Sequence, residues 1–210
     1  MPIRIPLQPP QAEYLKDHRF NGRPVLPAVE TMALLATAVS EEVPAIDPHH
    51  IREARFEKFL PLEETEDMEL WGELTLADDG TAGAALKSKR RGKRGIARTL
   101  THARMSFGGA DEAPASGWPA GDDQMDPATP PSPERIYAEL VPFGPNYRNI
   151  SAITAVYQDG IRADIVAPDL GGPHRLGSPF VLDAAFHAAC VWGQRYLCLL
   201  YTSDAADERG

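Results

Sequence analysis

The chain of 210 residues carries 43% hydrophobic and 24% charged side chains, enough for a packed core and too apolar for wholesale disorder. Its formal net charge of −9 argues against nucleic acid as a main partner, because phosphate binding asks for a basic surface. No uninterrupted apolar stretch reaches spanning length, and Met1 is followed by Pro2, Arg4 and Pro6 rather than an apolar leader, so no membrane and a cytoplasmic setting are expected.

In chain order, the first strong segment is Ala28 to about Ser40. Val29, Met32, Ala33, Leu35, Ala36 and Val39 make it apolar on most faces, and Pro27 stands where a proline favours a helix start. Such a helix needs something wrapped around it. Met68, Leu70, Gly72, Leu74 and Leu76 then alternate with polar or amphipathic residues at a period of two, which predicts a strand. Asp78-Asp79-Gly80 turns the chain, and Ala82 to Lys89 reads as the return strand. A basic tip at Arg90-Arg91-Gly92-Lys93-Arg94 leads into a further strand from Ile96 to Phe107. The first half, residues 1–110, is thus a buried helix followed by an antiparallel meander.

Residues 111–133 are rich in Pro, Gly, Ala and Asp without periodicity and read as a linker. The pattern restarts over 134–197: a short amphipathic piece from Ile136 to Leu140, two strands between Ile150 and Ala167 turning at Asp159-Gly160, and an apolar helix from Phe180 to about Leu200 behind Pro179. Residues 198–210 resemble translated adapter read-through at the end of a truncated reading frame and are expected to be a non-native tail. Cys190 and Cys198 would lie about 12 Å apart along a helix, too far for a disulfide, and read as small core residues of a reduced protein.

The segment from His18 to Pro27 carries the most chemistry. Gly22 can adopt backbone angles that let the loop fold back, turning the His18 imidazole inward ahead of a proline-started helix. A histidine there can stay neutral near pH 7 and serve as a base. The rivals are weaker. His49-His50 lack companions at metal-ligand spacing and suit a solvent loop, and His102 reads as structural. The Lys87 to Arg98 cluster suits a solvated hairpin tip better than a carrier-docking patch.

His18, Gly22 and Pro27, with Asp17 in front, match the His-x3-Gly-x4-Pro pattern of polyketide synthase dehydratases. Asp183-Ala184-Ala185-Phe186-His187 resembles the family's Asp-x3-Gln/His motif. Phe143-Gly144-Pro145-Asn146-Tyr147 resembles its Tyr-Gly-Pro-x-Phe segment, with Phe143 in place of the tyrosine. The chain therefore resembles the dehydratase domains of polyketide and polyunsaturated fatty acid synthases. The resemblance implies an α+β double hot-dog with the active site between its halves, here with the second hot-dog incomplete and the chain cut short.

It further implies His18 as base and Asp183 as acid in removing water from a 3-hydroxyacyl thioester. The substrate would ride on acyl carrier protein, with no cofactor beyond the carrier's phosphopantetheine arm and no metal. Asp183 must be protonated to act, and Phe180, Val181, Leu182 and Phe186 are expected to give it an apolar pocket. His187, one turn on, would share a hydrogen bond with it. Backbone N–H groups between Val25 and Ala28 are expected to meet the thioester oxygen.

Gly144, Pro145 and Tyr147 join the supporting residues. Other synthase domains are expected partners, and a homodimer stays open. Two other functions remain: a product-template-like cyclase using the same pair, and a non-catalytic acyl-binding or structural hot-dog. An incomplete second half would leave Val191, Trp192 and Leu197 exposed, so an unstable or inactive product is expected.

Overall fold

The computed structural model describes residues 2–63, 68–91, 97–109, 130–169 and 174–196. Most of the linker, the tip of the basic hairpin, Leu197, Cys198 and the tail lie outside these residues. The chain divides into two compact units, Met1–Pro114 with Asp169–Pro179, and Ala115–Pro168 with Phe180–Gly210.

In the first unit, β1 (Ile3–Pro6) leads to a 3-10 turn (Glu13–Asp17) and a small hairpin of β2 (Arg19–Phe20) and β3 (Arg23–Pro24). Helix α1 (Ala28–Glu42) follows, then β4 (Ile51–Phe56), β5 (Met68–Leu76), β6 (Ala82–Arg91) and β7 (Ala97–Phe107). The strands form one five-stranded antiparallel sheet in the order β1-β5-β6-β7-β4, and α1 packs on β5, β6 and β7. This is a hot-dog: Leu35, Ala36 and Val39 from the helix meet Leu70, Leu74, Leu86, Ala103, Met105 and Phe107 from the sheet. Gly72 makes the approach possible, since a Cβ there would lie 3.3 Å from a Leu7 methyl and 3.5 Å from one of Leu35.

The meander follows the alternation read in β5, with two exceptions. Trp71, between the apolar positions, is buried as well. Leu76, expected on the core face, is 51% exposed at the strand end. Two edge strands were not legible. β1 is four residues closed by Pro6, and β4 is charged, almost wholly exposed, and broken by a bulge at which Glu53 takes a φ of 52°. Charge, proline and bulges are what blunt a sheet edge, and they also erase the period-two signal.

The second unit holds α2 (Pro133–Arg135), a π turn (Ile136–Leu140), a 3-10 turn (Pro145–Tyr147), the hairpin of β8 (Ile150–Val156) and β9 (Ile161–Ile165), and α3 (Pro179–Tyr196). Its core joins Ile136, Tyr137, Val141, Ile150, Ile153 and Val156 to Ala184, Ala188 and Val191 of α3. Val191 and Trp192 are therefore not exposed as expected. Val191 is buried, and the half-buried Trp192 indole donates to the Tyr157 carbonyl at 3.0 Å. The open face of α3 carries Val181, Ala185, Phe186, Ala189 and Cys190 instead, so Cys190 is not core filler. Among the described residues, no helix is long and apolar enough to cross a membrane.

Candidate active site

His18 ends the 3-10 turn and enters the β2–β3 hairpin. Asn21 (φ 49°) and Gly22 (φ 76°) form its two-residue tip, both in the left-handed region that an Asn-Gly pair tolerates and that matches strand twist. No atom comes within 4 Å of a Cβ built on Gly22, so the glycine is there for its backbone angle and not for space. The hairpin brings Val25 back beside His18: the Val25 N–H donates to the His18 carbonyl at 2.9 Å, and His18 Nδ1 lies 3.1 Å from the Val25 carbonyl. A carbonyl only accepts, so Nδ1 carries the hydrogen and the neutral ring holds its lone pair on Nε2. His18 is only 7% exposed.

The stretch expected to supply thioester donors is partly committed. The Val25 N–H goes to His18 and the Leu26 N–H to the Leu60 carbonyl, while Pro27 has none. Val25 thus offers its carbonyl to His18 and not its N–H, and within the expected stretch the first turn of α1, from Ala28 onward, is capped by no side chain. A tether unseen in the sequence fixes this turn. Tyr14, in the 3-10 turn before His18, donates its hydroxyl to the buried Glu30 carboxylate of α1 at 2.8 Å. Burial, and then the charge and hydrogen bond of Glu30, push the Tyr14 phenol far above its ordinary range.

In the second unit, α3 turns Phe180, Asp183, Ala184, His187 and Ala188 to its buried face. Asp183 and His187 are 4% and 3% exposed, and His187 Nε2 lies 2.9 Å from Asp183 Oδ2. The contact is close but misaligned for a full hydrogen bond. Asp183 Oδ2 and His187 Nδ1 both lack a properly oriented partner among the described residues. Polar groups left so in a buried place cost about 1–3 kcal/mol each, and such costs concentrate where a substrate completes the bonding.

The Phe143–Tyr147 segment explains how the pair is held. Phe143 stacks on the His187 ring (centroids 5.2 Å apart, 19° between planes), and Tyr147 meets Phe180 edge-on at 5.6 Å. The two aromatics of this motif thus grip α3 at two points about two turns apart. Gly144 has an ordinary φ of −72° and caps the 3-10 turn opened by Pro145. Tyr137, inside the short amphipathic piece from Ile136 to Leu140, meets His187 edge-on at 5.9 Å and accepts the Ile150 N–H at 2.8 Å. The apolar pocket expected around Asp183 is therefore built differently. Phe180 shares the buried face of α3 with Asp183, but Val181 (44% exposed) and Phe186 (40%) lie on the opposite face of the helix.

The other candidates sit apart from these groups. His49 and His50 share Asp47 in an exposed turn at 2.8 and 3.9 Å. Lys87 is not part of a solvated tip, because it pairs with Glu73 on the sheet. Among the described residues, no group of three or more His, Cys, Asp or Glu side chains is arranged to hold a metal ion.

Residues 4–89, which include His18 and its hairpin, match the family model of the polyketide synthase dehydratase domain. The fold is similar to solved dehydratase domains. One is a trans-AT polyketide synthase dehydratase from Brevibacillus brevis, with a TM-score of 0.69, 21% identity, and coverage of 96% of this chain and 72% of that one. Another is the PpsC dehydratase domain from Mycobacterium tuberculosis, with a TM-score of 0.65, 22% identity, and coverage of 93% and 69%. A third is a bifunctional dehydratase-cyclase domain in ambruticin biosynthesis, with a TM-score of 0.55, 24% identity, and coverage of 84% and 63%. No curated protein matches the chain. The resemblance read from the sequence is thereby borne out: residues 4–89 carry the dehydratase pattern, and the chain has the hot-dog fold of polyketide synthase dehydratase domains.

Proposed function

We propose that the chain is a dehydratase that removes water from a 3-hydroxyacyl thioester carried on acyl carrier protein. The observation that carries this reading is the buried His18 with its Nδ1–H fixed on the Val25 carbonyl, which leaves Nε2 as a base. Nε2 takes the C2 proton of the substrate. The C2–H electrons form the C2=C3 double bond, the C3–O bond breaks, and Asp183 gives its proton to the departing hydroxyl, which leaves as water. The N–H groups at the start of α1 meet the thioester oxygen while charge develops on it. His187, held between Phe143 and Tyr137, stands 2.9 Å from Asp183 Oδ2 and is placed to complete a hydrogen bond to that carboxyl when substrate is bound.

The test is turnover of a 3-hydroxyacyl group loaded on acyl carrier protein, read by mass spectrometry as loss of one water. His18→Ala and Asp183→Asn are each expected to cut the rate by about 10²–10⁴-fold with the fold intact. Full activity in either variant sinks the assignment. The likeness to a dehydratase-cyclase domain favours ring closure as the second reading. A substrate with a second nucleophilic hydroxyl further along its chain separates the two: cyclic product supports the cyclase, and open-chain enoyl product the simple dehydratase.

A further inference from the structure

A buried Ser–His pair in the first unit is used by nothing above. Ser88 on β6 and His102 on β7 are 2% and 3% exposed, with Ser88 Oγ 2.7 Å from His102 Nε2. On its other side, His102 Nδ1 lies 3.2 Å from the Lys58 carbonyl, and the His102 carbonyl accepts the N–H groups of Glu57 (2.8 Å) and Lys58 (3.2 Å). The polarity follows from the carbonyl. Nδ1 must donate to Lys58, so Nε2 accepts from the Ser88 hydroxyl. Burial first of all, with the Lys58 charge adding, lowers the pKa of the imidazole below its ordinary value. That favours the neutral form which can donate on one side and accept on the other.

Lys58 begins a strap, residues 58–62, that runs from β4 toward β5. At its far end the Leu60 carbonyl accepts the Leu26 N–H at 2.8 Å, the Leu62 N–H donates to the Pro24 carbonyl at 3.0 Å, and Pro61 bridges to Val25. Midway, Phe59 stacks on Phe20 of the hairpin with centroids 4.3 Å apart. The strap is thus anchored on His102 at one end. At the other it is zipped to the three residues whose middle member, Val25, holds His18 Nδ1.

We propose that His102, seated by Ser88, is a positioning residue for His18: it fixes the strap that fixes the Val25 carbonyl, and so fixes which His18 nitrogen is the base. The proposal deepens the dehydratase reading and rests on it for its catalytic consequence alone. The tautomer of His18 can be read without turnover.

Two substitutions in the full chain separate the bonds of His102. Asn places its amide nitrogen near Nδ1 and keeps the Lys58 anchor, whereas Gln reaches the Nε2 position and loses it. By ¹⁵N-resolved NMR of the imidazoles, His102→Gln is expected to convert His18 from a single Nδ1–H tautomer to a mixture, and His102→Asn to leave it as it is. In turnover, the Gln variant is expected to lose about 10-fold in kcat with KM within about twofold, and the Asn variant to recover most of that loss. If Gln does not fold, Ser88→Ala is read in its place and is expected to shift the tautomer in the same direction. An unchanged His18 tautomer in a folded Gln or Ser88→Ala variant overturns the proposal, as does an Asn variant that behaves like Gln. A tautomer change in the Gln variant, beside a wild-type chain that dehydrates nothing, upholds the positioning and refutes the dehydratase reading instead.

Discussion

Gly22→Ala isolates one physical cause, because the structure has removed the other. A Cβ at this position meets nothing within 4 Å, so no clash contributes, and the whole cost is that of an L-residue held at a φ of 76°. That cost is about 1–2 kcal/mol. At about 5 °C per kcal/mol for a unit of this size, the loss of sheet signal on heating should come roughly 5–10 °C earlier. Gly22→Asn should cost less than Ala, since asparagine tolerates the left-handed region, as Asn21 beside it already does at 49°. D-alanine introduced by semisynthesis should cost nothing and gain a few tenths of a kcal/mol, because it restricts the unfolded chain while fitting the native angle. Catalysis should follow the same order, since the hairpin sets His18 against Val25. The measurement is thermal and urea unfolding of the three variants beside the wild type. A loss well above 3 kcal/mol for Ala, or equal losses for Ala and D-alanine, would show that contact and not conformation requires the glycine.

Other predictions follow from single groups. His102 titrates below its ordinary 6.5 in the folded chain, so above that pH both folded and unfolded states hold it neutral and it adds no slope. Below 6.5 the unfolded chain takes up a proton that the folded one refuses, so stability should fall with decreasing pH by up to about 1.4 kcal/mol per unit, down to the lowered folded value. His102→Asn should remove that component from urea unfolding measured across pH; an unchanged slope argues that the ring titrates normally. Tyr137→Phe orphans the buried Ile150 N–H and should cost about 1–3 kcal/mol, with the backbone amide of Ile150 exchanging faster by NMR. No loss would mean the hydroxyl bond is dispensable. Leu35→Ala, at a fully buried site in the middle of the first core, should cost about 3 kcal/mol or more by urea unfolding, and a loss under 1 kcal/mol would place Leu35 outside the core.

The sequence by itself determined what is local. An apolar run behind a proline makes α1 whatever surrounds it, the alternation over Met68 to Leu76 makes β5, and the spacing from His18 through Gly22 to Pro27 sets a base, a left-handed tip and a helix start in a row. The candidates His18, Asp183 and His187 were legible for the same reason: two motifs a few residues long carry them, and helical pitch alone brings His187 beside Asp183. Only the tertiary structure decided which bonds are already spent. The Leu26 N–H is consumed by Leu60, thirty-four positions along, a pairing that nothing in the local sequence announces. It also decided which side of α3 is inside. The helix is apolar on several faces, so its composition could not say that Phe180 would be buried while Val181 and Phe186 would not; packing against Tyr147 and Phe143 settles that. The same holds for Tyr14 with Glu30 and for Ser88 with His102. Each is an ordinary polar residue in its own segment, and each gains its meaning from a partner fourteen or sixteen residues away that only the folded chain brings within hydrogen-bonding distance.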